Sequence, residues 1–250
     1  MNVSVAREQP AQMSAAEWST RVELAACFRL CAHYGWVDSA GNHLTARIPG
    51  EDAFLINPFD VLFQDITASS LLKMDFDGNL MHPTPHAQNP TGFVVHSGFY
   101  AARADIGCTM HLHSDAGVAV SCLTEGLLPI SQTAMLVADD IAYHDYEGVV
   151  LDLSERERMS QLLGQKNILI LRNHGTMVFG RTIAQTFMRC HTFESACAVQ
   201  MKVLASGRPI HAAAPDAVRV TAEFGSKITG VHGWTAHLHM LDRLTTDYQQ

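Results

Sequence analysis

The sequence predicts a single domain of the α/β layer class, with helices packed on a sheet. Three observations carry this. Runs with apolar residues at helical spacing alternate with short runs that are either period-two or continuously apolar. No internal repeat or linker-like stretch interrupts them. Of 250 residues, 47% are hydrophobic, enough for one sizeable core.

Taken in order, residues 1–13 read as a loose tail. Residues 15–34 carry Trp18, Val22, Leu24, Ala25, Phe28, Leu30 and Cys31 at helical spacing, with Ser14 as N-cap, Glu17 three residues on and Gly35 as the stop. Strands are expected over 43–47 and 53–57, the second ended by Pro58. A helical turn capped by Thr67 follows over 66–72, then a strand over 72–76. Asp77-Gly78-Asn79 signals a hairpin with a return strand from Leu80. Helical spacing resumes over 91–104. The period then changes to two, with Ile106, Cys108, Met110 and Leu112 on one face and Gly107, Thr109, His111 and His113 on the other. Helix is expected over 116–123, strands near 127–132 and 141–144, helix over 154–163, and a buried strand over 167–171. A long helix covers 182–204, stopped by Gly207 and Pro209. The last 40 residues predict one helix, over 234–244. The body of the domain thus runs over 14–210, and 211–250 is an extension packing on it or on a neighbouring subunit.

Charge and composition exclude several classes of function. Lys and Arg number 17 against 25 Asp and Glu, a formal charge of −8, and no basic run marks a nucleic-acid or anionic-membrane partner. Nothing approaches the ~20-residue apolar run of a spanning helix, and residues 1–10 lack a signal-peptide pattern. None of the six cysteines forms a C-x-x-C pair, so they read as small core residues in a reducing compartment. A cytoplasmic protein is expected.

Histidine is the unusual residue, with 14 copies. His111 and His113 stand two apart on a predicted strand, so both project from one face, near enough to share an ion. The strand ends there, where α/β folds place ligand sites. His174 follows the apolar strand in Arg172-Asn173-His174-Gly175, with Gly175 letting the backbone turn. Three neutral imidazoles leave coordination positions open, as in catalytic rather than structural metal sites. An internal control exists in His237-Leu238-His239, the same three letters as 111–113 but on a predicted helix. Residues two apart on a helix diverge and cannot share an ion.

The runs Gly41-Asn42-His43-Leu44-Thr45-Ala46-Arg47, Phe54-Leu55-Ile56-Asn57-Pro58, Ile66-Thr67-Ala68-Ser69, Met110-His111-Leu112-His113 and Leu171-Arg172-Asn173-His174-Gly175 resemble, in order and spacing, the class II aldolase/adducin family. The adducin-head-like bacterial branch is the nearest in wording, as in Leu128-Pro129-Ile130-Ser131-Gln132 and Tyr143-His144-Asp145-Tyr146-Glu147-Gly148. The resemblance implies a three-layer α/β/α sandwich around a central, largely antiparallel sheet. It also implies one divalent metal per chain held by His111, His113 and His174, zinc first with manganese or iron as alternatives. A homotetramer with active sites at subunit interfaces and a small-molecule substrate are implied too. Asn42 matches a substrate-binding asparagine of the family, and Asn57 and Thr91 complete the candidate substrate-binding set.

Departures from the pattern are equally specific. The glutamate that sugar-phosphate aldolases place 19 residues before the first metal histidine is Gly92 here. The two phosphate-gripping serines before it are Pro90 and Thr91, and Phe59-Asp60 replaces a phosphate-binding Thr-Gly pair. An aspartate there would repel a phosphate dianion. The family's interface tyrosine falls near Thr133. His96, one helical turn after Gly92, and the Tyr143–His144 pair are the candidates to handle protons instead. Glu147, His82 and His86 are weaker ones. The expected activity is a metal-dependent carbon–carbon lyase, retro-aldol or decarboxylating, on a non-phosphorylated hydroxy- or keto-acid. The alternatives are a non-haem iron oxygenase and an adducin-like oligomeric scaffold without catalysis.

Overall fold

The computed structural model describes residues 13–39, 41–148, 153–227 and 230–250, so the expected tail lies almost wholly outside the described residues. Seven strands form one sheet in the order β3-β2-β1-β4-β7-β6-β5. They are β1 (His43–Arg47), β2 (Ala53–Ile56), β3 (Leu72–Asp75), β4 (Cys108–Leu112), β5 (Ile141–His144), β6 (Ile168–Leu171) and β7 (Gly175–Gly180). Every pairing is antiparallel except β5 with β6, which makes the sheet largely antiparallel, as expected.

Helices cover both faces. Helices α1 (Ala15–His33), α3 (Asp115–Ser121), α6 (Ile183–Ala205) and α8 (Val231–Leu244) lie on one side, over a core containing Phe28, Leu44, Met110, Val178 and Phe187. Helices α2 (Pro90–Ala102) and α5 (Leu153–Leu163) lie on the other, over Phe54, Ile56, Phe99, Met177 and Phe179. Strand alternation sorts the residues. On β4, Cys108, Met110 and Leu112 enter the first core, so His111 faces the α2/α5 side.

The caps follow the sequence. Ser14 Oγ accepts the Glu17 N–H at 3.0 Å, and Thr182 Oγ1 accepts that of Gln185 at 3.1 Å. Gly35 sits at φ 72°, the left-handed stop of α1. The Glu17 carboxylate does not turn back on its cap. It is buried between Arg21 and Lys73, both at 2.8 Å, and pins α1 to β3.

Four sequence expectations fail. The return strand from Leu80 is a single bridge to Met74, because the prolines that follow cannot donate to a ladder. The segment 127–132 is not a strand. It leads into α4 (Gln132–Val137), capped by Ser131, whose Oγ accepts the Ala134 N–H at 3.2 Å. Strand β7 has no counterpart in the sequence reading, in which Gly175 serves the turn after His174. Nor has α7 (Pro215–Gly225), which packs on α4. After α7, α8 packs against α1 and α6.

Candidate metal centre

The triad forms because β1, β4 and β7 are neighbours in the sheet. His111 is the penultimate residue of β4 and His113 follows its end. Between β6 and β7, Leu171 pairs with Gly175, so Arg172, Asn173 and His174 form a tight three-residue loop. Asn173 takes φ 57°, which asparagine tolerates better than most residues. His174 then turns toward β4, its ring centroid 5.0 Å from that of His111 and 4.8 Å from that of His113. Gly175 is needed for closeness, not for a turn. A Cβ there would lie 2.6 Å from the Leu112 carbonyl and 2.7 Å from the His113 ring.

One ring nitrogen from each histidine lies within 4.8 Å of the others. The Nε2 atoms of His111 and His113 are 2.8 Å apart, and nitrogens sharing one ion at about 2.1 Å stand about 3.0–3.4 Å apart, octahedral to tetrahedral. Each of these two rings uses its outer nitrogen elsewhere. His111 Nδ1 donates to the Thr176 carbonyl at 3.1 Å, and His113 Nδ1 to Asp38 Oδ2 at 3.0 Å. With both rings neutral, two Nε2 lone pairs face each other across that gap, which a shared cation resolves. Burial, reinforced by the surrounding imidazoles, holds His111 well below the ordinary histidine range and lowers His174 to about 4. Neutral imidazole is the ligating form. The residues therefore fit a divalent cation. Replacing Asp38 by asparagine is expected to weaken metal binding by about 10–100-fold. Unchanged affinity in a metal titration would show that the carboxylate does not act through His113.

A family profile described as Class II Aldolase and Adducin N-terminal domain matches residues 22–201. The chain belongs to the class II aldolase/adducin family. A Caulobacter vibrioides protein, provisionally named as an aldolase class 2 protein, is 48% identical over 95% of this chain and 94% of its own length. Mouse alpha-adducin is 42% identical over 74% of this chain, which spans only 26% of that protein. The crystal structure of an aldolase II superfamily protein from Pseudomonas syringae superposes with a TM-score of 0.92 at 39% identity, covering 96% of this chain and 98% of that one. The L-fuculose 1-phosphate aldolase of Glaciozyma antarctica PI12 superposes with a TM-score of 0.81 over 97% of both chains, but at 23% identity the likeness is one of fold.

Against the pattern of class II aldolases, the surroundings of the triad are distinctive. At Gly92, where sugar-phosphate aldolases carry glutamate, a Cβ would come 3.2 Å from the ring of His43 and 3.1 Å from Ile56. His43 thus fills this space. It pairs with His111 across β1 and β4, ring centroids 4.7 Å apart. Its Nδ1 lies 2.8 Å from His96 Nε2, His96 Nδ1 lies 2.6 Å from Thr45 Oγ1, and Thr45 Oγ1 lies 2.7 Å from the Tyr100 hydroxyl. His43 and His96 are buried, and burial is the first cause that holds both well below the ordinary range. Among the described residues, the hydrogen bond that links His96 to the triad's surroundings goes to His43, which was not singled out in the sequence. The register placing His43 opposite His111 is a property of strand pairing, not of spacing along the chain.

The expected Tyr143–His144 pair is split. Adjacent strand residues face opposite sides. His144 faces the triad's side, sharing a small cleft with His174, Tyr146, Glu147 and Glu155. Its Nε2 is 3.3 Å from Glu155 Oε1, a buried carboxylate that no sequence pattern marked. Tyr143 turns to the other face. There its hydroxyl accepts the Leu127 N–H at 3.1 Å, and its ring lies under the Arg172 guanidinium at 4.5 Å.

Asn42 and Asn57 stand beside the triad with their carboxamides committed. Asn42 Oδ1 accepts the His113 N–H at 2.8 Å. Asn57 Oδ1 accepts that of Leu44 at 3.4 Å, and its Nδ2 donates to the Pro58 carbonyl at 3.2 Å. Both are buried, Asn42 holding the β4 end and Asn57 tying the end of β2 to the start of β1. Thr91 is the second residue of α2, its side chain outside the described residues. Asp60 holds the loop before α2 through the Ala87 N–H at 3.2 Å and His86 at 3.3 Å. His237 lies on α8, where its Nδ1 meets the Tyr34 hydroxyl at 2.9 Å.

Proposed function

We propose that this chain is a divalent-metal-dependent carbon–carbon lyase acting, by retro-aldol cleavage or decarboxylation, on a small non-phosphorylated hydroxy- or keto-acid. The observation that carries the reading is the convergence of His111, His113 and His174, with the outer nitrogens of the first two tied to Thr176 and Asp38. A divalent cation, zinc before manganese or iron, would supply Lewis-acid stabilisation of the negative charge developing on a substrate oxygen. The chain's own groups do the rest. His144, oriented by Glu155, holds a proton at the cleft beside His174. His43 and His96, linked to Thr45 and Tyr100, form a second buried path for a proton at the space a glutamate occupies elsewhere. Asn42 and Asn57 shape the loop that meets substrate, with Thr91 at the start of α2. Asp60, exposed near that loop, disfavours a phosphate dianion.

The reading includes a cytoplasmic homotetramer with active sites at subunit interfaces, in which residues 14–210 are the metal-binding unit and 211–250 an extension packed on it. The exposed rim residues Tyr146 and Asp38 leave the triad open on that side. No helix among the described residues is long and apolar enough to cross a membrane. The identity to alpha-adducin favours one second reading, an oligomeric scaffold without catalysis.

The test is metal analysis followed by a product assay. Protein reconstituted with Zn, Mn or Fe is expected to hold close to one ion per chain and to cleave a hydroxy- or keto-acid. Absence of metal after reconstitution supports the scaffold. A sugar phosphate turned over at about 1–1000 per second overturns the substrate class.

A further inference from the structure

Behind the triad, on the opposite side of the sheet, a carboxyl group is buried without a cation. Glu194 lies on α6 and is 2% exposed. Its Oε2 accepts the Ser114 hydroxyl at 2.6 Å, and its Oε1 is buried with no hydrogen-bond partner among the described residues. Ser114 immediately follows His113 and caps α3, its Oγ accepting the Gly117 N–H at 3.0 Å. A Cβ on Gly117 would lie 3.2 Å from Glu194 Oε1 and 3.2 Å from Thr176 Cγ2, so the carboxyl and Thr176, whose carbonyl receives the His111 N–H, border the same glycine. Glu194 therefore holds Ser114, the residue that follows the triad's His113.

An ionised carboxylate here would be a bare charge in an apolar layer, which is costly unless something offsets it. The groups around it do not. On its own helix it faces Cys190 and Cys197, with Cys31 of α1 and Cys108 of β4 beyond, and burial pushes Cys190 and Cys197 well above the ordinary thiol range and Cys108 up to about 12. On the α3 and β7 side it meets Ser114 and borders Gly117, with Thr176 on that glycine's far side, none of them charged. Of the charged groups elsewhere on these elements, Arg189 pairs with Asp140 of the α4–β5 connection, His191 meets His237 of α8, Glu23 of α1 bonds Trp234 of α8, Glu17 and Arg21 of α1 pair with each other and Arg29 of α1 pairs with Asp247. Burial raises Glu194 to about 7, against the lowering effect of Ser114.

We propose that Glu194 is the buried counter-charge for a cation at the triad. It carries a proton while the triad is metal-free. When the cation arrives, its O–H bond breaks, the proton passes to solvent, and the carboxylate tightens its hold on Ser114 and the β4–α3 turn that carries His113. A triad of neutral imidazoles brings no negative charge of its own, and Glu194 supplies one without occupying a coordination position. It acts through Ser114 and is a positioning residue, not a catalytic one.

This inference rests on the metal reading and is tested separately from it. Zinc is titrated calorimetrically into the full chain and into Glu194→Gln, in buffers of different ionisation enthalpy, at pH 6 and pH 8. At pH 6 the wild type is expected to release close to one proton more per ion than the variant, with the difference vanishing by pH 8. In infrared difference spectra at pH 6, zinc should bleach a protonated-carboxyl band in the wild type, and Ser114→Ala should shift that band. Equal proton release in the two proteins, or a wild-type band that persists with zinc bound, overturns the role of Glu194 while leaving the metal site standing. A wild type that binds no zinc overturns the metal reading, and this inference with it. The wild-type spectrum decides the matter even if Glu194→Gln does not fold.

Discussion

Replacing His113 by alanine is expected to abolish stoichiometric metal binding while leaving the chain folded. His113 lies just past the end of β4 with its ring at the rim, so its loss opens no cavity in either core. It also removes one of three nitrogens from a site whose His111–His113 pair is already near ligating distance. The loss of affinity should exceed the 10–100-fold typical of an orienting partner such as Asp38, and any lyase activity should fall with it. Metal content after dialysis, read beside the far-ultraviolet circular dichroism of the same sample, checks both halves. A variant that keeps one tightly held ion would move the metal centre elsewhere in the chain.

Acid is expected to destabilise the metal-free protein steeply, from about pH 6.5 downward. His43, His96 and His111 are buried, and burial is the first cause lowering each one in the fold. An unfolded histidine titrates near 6.5. Below that pH the unfolded chain takes up protons that the folded chain refuses. The stability these groups contribute is therefore complete above about 6.5 and lost as the pH falls, by about 1.4 kcal/mol per pH unit for each group. Glu194 works in the opposite direction. Raised to about 7 in the fold, against about 4.3 unfolded, it holds a proton in the folded state that the unfolded chain has lost. It therefore offsets about one of the three. The net loss starts near about 1 kcal/mol per pH unit at pH 6.5 and steepens to about 3 kcal/mol per pH unit by pH 5, a large part of the 5–15 kcal/mol that typical domains possess. Urea denaturation at fixed pH values measures it. A flat profile down to pH 5 would mean that the three imidazoles are solvated and charged in the folded state.

Both predictions show how legibility in the sequence was divided. His111, His113 and His174 were legible because strand alternation and a loop after an apolar run are local patterns. The decoy at 237–239 was legible for the same reason, by failing the helical version of the rule. His43 was not, because its importance arises from lying opposite His111 across β1 and β4. Tyr143 and His144 were read as one cluster, yet the pleat that brought His111 and His113 together sends these neighbours to opposite faces. Asn42 and Asn57 matched a family pattern, but what their carboxamides bond to depends on how the β4 end folds against its neighbours.

By itself, the chain's local chemistry determined the layer class, most helix and strand identities and the pattern that brings three histidines together, while the family came from a resemblance of motifs. These follow from periodicity, capping and motif spacing over a few residues. Tertiary structure alone decided that Gly175 and Gly180 belong to a central strand, that His43 takes up the room beside Gly92, that Glu155 backs His144, and that Glu194 sits uncompensated beneath the triad. Each depends on strand register or helix packing between residues far apart in the chain. Burial, and the protonation states it dictates, exists only once those layers have closed.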